Sequence, residues 1–103
     1  MPDALGRTTE NDFAQSVLHI LSTKPGGQAT FQQLFRDLPK LIVLTTQDQS
    51  PSTRRPGESF WQQRVRNITS HKNNPNNYIA RGYLLSINNG LKITPKGRSH
   101  IGL

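Results

Sequence analysis

Gln63, Arg66, Asn67 and Ser70 stand at i, i+3, i+4 and i+7 in the second half of the chain. At about 100° per residue, that spacing puts all four on one face of a helix. Their chemistry suits the edges of base pairs. Arg can donate two parallel hydrogen bonds to guanine O6 and N7, Asn and Gln can pair with adenine N6 and N7, and Ser adapts to either. Each good bidentate pair is worth about 1–3 kcal/mol of discrimination against a wrong base. On the opposite face Trp61, Val65 and Ile68 make an apolar stripe of the same period. The spacing therefore predicts a helix with one side for a core and one for a partner, although an exposed helical face is polar in any globular protein.

Charge is distributed unevenly around this stripe. Up to Glu58, six Lys and Arg are balanced by six Asp and Glu, whereas Ser59 to Leu103 holds Arg64, Arg66, Lys72, Arg81, Lys92, Lys96 and Arg98 and no acid, so the net charge of +7 lies wholly in that part. A polyanion is the natural partner. Arg54 and Arg55 before the helix, Arg64 on it, His71 and Lys72 at its end, and Lys92 further on are the candidates for phosphate contact. Such contacts fix register without reading sequence, and each of these side chains can equally be a solvated charge. Five or six of them would make the logarithm of affinity fall with log salt at a slope of about −0.9 per contact. Trp61 has two readings, a core anchor or an aromatic pocket for a base or its methyl group. Its place on the apolar stripe favours burial, and a position beside a groove would permit both.

Other chemistries find little support. The chain has no cysteine, which excludes a disulfide framework and a thiolate zinc site and suits a reducing cytosol. The acids are scattered, no His pairs with another ligand at metal spacing, and no Gly-rich phosphate loop precedes a helix. No active site, metal or cofactor is expected, and His19 and His100 take surface or packing roles. No apolar run of about eighteen residues and no signal peptide is evident, so a cytoplasmic protein without a membrane span is expected.

The elements that position the stripe can be read in order. A length of 103 residues suits one domain, here residues 9–103 after a flexible leader over residues 1–8. Phe13, Val17, Ile20 and Leu21 predict a helix from Glu10 to Ser22, broken by Lys24-Pro25-Gly26-Gly27. Thr30 caps a second helix carrying Phe31, Leu34, Phe35 and Leu38, ending at Pro39. Leu41 to Leu44 reads equally as more helix or an irregular turn, and Thr45 to Gly57 as an exposed loop. The third helix begins near Glu58 or Ser59 and ends around His71 or Lys72, before Asn73-Asn74-Pro75-Asn76-Asn77. Tyr83 to Ile87 and Leu91 to Ile93 predict two strands joined through Asn88-Asn89-Gly90, with Asn89-Gly90 as the positive-φ pair of a type I′ turn. Thr94-Pro95 opens a short last helix over Lys96 to Ile101.

Three helices, the third polar-faced, followed by a hairpin predict a mainly α fold with a small β-hairpin. This is a winged helix-turn-helix, a three-helix bundle plus wing. The run Phe60-Trp61-Gln62-Gln63-Arg64-Val65-Arg66-Asn67-Ile68 with Ser70-His71-Lys72, together with Tyr78-Ile79, Gly82-Tyr83-Leu84 and Ile93-Thr94-Pro95-Lys96-Gly97-Arg98, resembles the winged-helix specificity domains joined to nucleases of restriction systems. These include modification-dependent enzymes whose winged helix reads N6-methyladenine. The similarity covers roughly Ala29 to Ile101. It implies a non-catalytic reader of a short site in double-stranded DNA, adenine-methylated in the modification-dependent case. Gln63, Arg66, Asn67 and Ser70 would face bases, Trp61 would lie near a methyl pocket, and a nuclease domain would sit in the same or another chain. A winged helix used for protein contact, or as a transcriptional regulator domain, is the alternative.

Overall fold

The structure is a computed structural model that describes residues 9–52 and 57–103; Arg54, Arg55 and residues 1–8, expected to be a disordered or flexible N-terminus, lie outside the described residues. Helix α1 (Glu10–Ser22) opens on a reciprocal cap in which the Thr9 hydroxyl accepts from the Asp12 amide at 3.1 Å and the Asp12 carboxylate accepts from the Thr9 amide at 3.3 Å. Such pairs satisfy amides that a helix start leaves without intrahelical partners. Thr30 and Gln33 repeat the device at 2.9 and 3.2 Å to open α2 (Phe31–Asp37), which tightens into a single 3₁₀ turn over Leu38–Lys40. At α3 (Phe60–Ser70) the Gln62 side chain accepts from the Ser59 amide at 2.8 Å.

Strands β1 (Gln28–Thr30), β2 (Leu84–Ile87) and β3 (Gly90–Ile93) form an antiparallel sheet in the order β1-β3-β2, followed by α4 (Pro95–His100). Among the described residues the fold is thus four α-helices with a small three-stranded sheet, a larger β component than the expected hairpin. The additional strand is three polar or small residues long and exists through its partners: Gln28, Ala29 and Thr30 lie opposite Lys92, Leu91 and Gly90. The turn differs too. Asn88 and Asn89 form it, and Asn89 alone among the described non-glycine residues has positive φ, at 57°. Gly90 belongs to β3 and is glycine for room, because a Cβ there would overlap the Ala29 carbonyl of β1.

Phe13, Val17, Leu18 and Leu21 of α1, Leu34 of α2, Val65 and Ile68 of α3, and Leu84 and Leu91 of the sheet form one buried core. Leu41 to Leu44 resolves as an irregular segment, with Ile42 and Leu44 packed against that core and Leu41 and Val43 exposed. Lys24 Nζ lies 2.8 Å from Asp37 Oδ2 and so ties the end of α1 to the end of α2. That hydrogen bond holds the Asp37 carboxyl below the usual carboxylate range.

Two connections do more than sequence suggests. The segment after Leu44, expected to be exposed, buries Asp48 completely, with its carboxylate accepting from the Thr45 amide at 2.9 Å. The Asp48 and Ser50 carbonyls accept from the first amides of α3, Trp61 at 2.9 Å and Phe60 at 2.7 Å. The start of α3 is therefore held by a neighbouring segment as well as by its own cap. At the other end, the Thr94 hydroxyl accepts from the Gly97 amide at 2.9 Å and donates to the Gly82 carbonyl at 2.5 Å, docking α4 on the chain that enters β2.

Candidate nucleic-acid interface

With Trp61, Val65 and Ile68 turned into the core, the helical period sends Gln63 and Ser70 outward and sets Arg66 and Asn67 on opposite flanks. Ser70 is exposed, and Gln63 is half-buried because its side-chain oxygen accepts from the Ser52 hydroxyl at 2.5 Å. The predicted stripe is therefore outward-facing, but its members do different work.

Arg66 leans towards α2. Its Nε donates to both carboxylate oxygens of Glu58 at 3.0 and 2.9 Å, Nη2 lies 2.8 Å from Glu58 Oε2, and the guanidinium sits 5.2 and 5.3 Å from the ring centres of Phe31 and Phe35. With side-chain exposure of 22% for Arg66 and 19% for Glu58, this fork-to-carboxylate pair is partly shielded and stronger than an open surface pair. The expected guanine-gripping Arg is thus already holding a carboxylate.

Asn67 leans the other way, towards the start of α1. It lines an open cavity of about 530 Å³ together with Phe60, Arg64, His71 and residues Thr9 to Asn11. Among the described residues its carboxamide has no hydrogen-bond partner, which leaves a donor and acceptor pair of the kind adenine requires. The Arg64 guanidinium sits 5.1 Å from the Phe60 ring centre. His71 Nδ1 meets Glu10 Oε1 at 2.7 Å, so the structure supplies a carboxylate where a phosphate contact was expected. The cavity floor is fixed by Asn77, 2% exposed, whose Nδ2 donates to the Ile68 carbonyl at 2.8 Å and whose Oδ1 accepts from the Ile79 amide at 2.7 Å.

Trp61 is 6% exposed, with its ring centre 6.1 Å from that of Phe13 and 5.6 Å from that of Phe35. Among the described residues the Trp61 ring packs into the core, and the core reading of Trp61 is the one this packing supports. Lys72 is exposed just beyond α3. Lys92 lies in the middle of β3, between Gln28 and Leu85 and on the sheet face opposite the buried Leu91 and Ile93, rather than at the hairpin tip.

Sequence reasoning also missed a grouping around Tyr83, whose ring has the Arg81 guanidinium 5.1 Å and the Lys96 ammonium 5.6 Å from its centre and the His100 ring stacked at 4.2 Å. These residues come from β2's entry and from α4, so only the docking of α4 brings them together. Among the described residues no group of three His, Asp or Glu side chains is placed to hold a metal ion, and no helix is long and apolar enough to cross a membrane. No family model, curated protein or solved structure shows a significant match to the chain.

Proposed function

We propose that this chain is a winged-helix module that binds double-stranded DNA, with α3 as its reading helix. The observation that carries the reading is the solvent side of α3, where Ser70 is exposed and, on the flank beside it, Asn67 has an unspent carboxamide, in a segment that holds the entire net positive charge. The order α1-β1-α2-α3-β2-β3, with β3 central in the sheet, supports this reading, since three helices precede a hairpin that can serve as a wing. Within this reading the module is the non-catalytic target-recognition part of a restriction or modification-dependent nuclease system, with the cutting domain in the same or another chain.

Burial of Trp61 moves the methyl question to Asn67. An N6-methyl group removes one amide donor from adenine and adds apolar surface. The cavity that Asn67 shares with the Phe60 ring offers a carboxamide beside an aromatic wall. Selection from random duplexes prepared with and without adenine methylation tests both parts. Adenine-containing sites are expected to enrich, the methylated ones more strongly, and Asn67→Ala is expected to lose about 1–3 kcal/mol of discrimination at one position. Equal enrichment from both pools would remove the methyl reading alone. If no duplex competes, the DNA reading fails and protein contact through α3 takes its place.

Arg66 reads DNA only by exchanging Glu58 for a base or phosphate. Glu58→Gln is accordingly expected to tighten DNA binding and to steepen its salt dependence by about 0.9 in log–log slope, one phosphate's worth. Fluorescence anisotropy across a salt series checks this, and an unchanged slope would leave Arg66 a purely structural residue.

A further inference from the structure

Seven bases follow Ser59, and the fold gives them different neighbours. Arg66 is held by Glu58 beside α2. Arg81 and Lys96 have no carboxylate partner among the described residues, and both are exposed. Their cations stand 5.1 and 5.6 Å from a single ring centre, that of Tyr83, while Arg81 also lies 5.8 Å from the centre of Tyr78. His100, exposed as well, stacks on Tyr83, and its Nε2 lies 3.1 Å from the side-chain oxygen Oε1 of Gln15. Gln15 accepts in turn from the Tyr78 hydroxyl at 2.8 Å, so the aromatic base of the cluster is fastened to α1.

Two like charges gathered on one ring repel each other, and the ring quadrupole offsets this only in part. What the arrangement lacks is an anion. The aromatic rings hold the charged heads in place, so less side-chain freedom is lost when an oxyanion arrives. Neither the Arg81 guanidinium nor the Lys96 ammonium has a hydrogen-bond acceptor among the described residues, which leaves their N–H groups available to phosphate oxygens. We propose that the Arg81–Tyr83–Lys96–His100 cluster is a second nucleic-acid contact that takes backbone phosphate, separate from the ridge of α3. The positions of its residues support the separation: they lie on the entry to β2 and on α4, whereas none of them lines the cavity beside Asn67. The proposal rests on the DNA-binding reading and extends it from one surface to two.

The test compares the unaltered protein with an Arg81→Gln/Lys96→Gln double variant, binding a long random-sequence duplex through a salt titration. Neutralising two phosphate contacts predicts a log–log slope shallower by about 1.8, an affinity about tenfold lower at low salt, and an unchanged order of preference among selected sequences. Arg81→Lys/Lys96→Arg is expected to keep the slope of the unaltered protein. Thermal melts of all three show whether the fold is retained, and both positions are exposed enough for that to be expected. If the unaltered protein binds and the Gln variant keeps the full slope, the cluster is not a phosphate contact and the reading of α3 stands. If the Gln variant instead changes sequence preference, the cluster belongs to the reading surface and the proposed separation is wrong. If the unaltered protein binds no nucleic acid, the DNA reading itself is overturned, and this proposal with it.

Discussion

A Trp61→Ala variant is expected to lose about 3–5 kcal/mol of folding stability. For a domain of this size that is a large share of a total of about 5–15 kcal/mol. The cost follows from position. Trp61 is 6% exposed and its ring meets Phe13 of α1 and Phe35 of α2, so truncation opens a void where three helices meet and removes two aromatic pairs worth about 0.5–1.5 kcal/mol each. Trp61→Phe keeps a ring at that junction and should lose less. Urea unfolding monitored by circular dichroism measures both. A Trp61→Ala protein that kept its stability but lost discrimination between methylated and unmethylated DNA would restore the pocket role and remove the core one.

Gly97→Ala sets two effects against each other. In an ordinary helix interior the change to alanine is favourable by about 1 kcal/mol. In α4 it is expected to cost about 2 kcal/mol net, because the new Cβ would overlap the Tyr83 carbonyl oxygen and press on Ile93. That carbonyl cannot simply swing aside, since it accepts from the Thr94 amide at 3.1 Å at the point where α4 leaves the sheet. A thermal melt should fall by about 10 °C, at roughly 4–8 °C per kcal/mol for domains near this size. A higher melting temperature would mean that α4 does not dock against Tyr83. The Thr-Pro-Lys-Gly-Arg run is explained by this docking: Thr94 caps and anchors, Gly97 clears the carbonyl, and Arg98 reaches the Ser22 carbonyl at the end of α1 at 3.5 Å.

What the sequence conveyed well was local. Thr9, Thr30 and Ser59 begin helices through contacts no more than three residues away, and the apolar period of each helix identifies its inner face, so α1 extends over Glu10–Ser22 as its pattern predicts. What escaped was contact between distant residues. Gln28–Thr30 has no strand pattern of its own and becomes β1 because Gly90 lets the backbones close. A division of the charge at Ser59 groups Glu58 with the neutral first half, yet Glu58 stands just before α3 and its carboxylate pairs with Arg66 on that helix. His71 likewise meets Glu10, sixty-one residues away, at 2.7 Å, a pairing that no local pattern announces. Composition counted the charges correctly, but only the fold pairs them.

The length of α3 bounds the information that the proposed reading helix can extract. Eleven residues at 1.5 Å each make a rod about 16 Å long, which runs beside about five base pairs at 3.4 Å per step. The hairpin adds little reach, because its two-residue tip is level with Thr30 and β3 pairs with β1 from its first residue. Under the proposed DNA reading, one copy of the chain distinguishes a short word through α3, and a longer address must be spelled by repeating it.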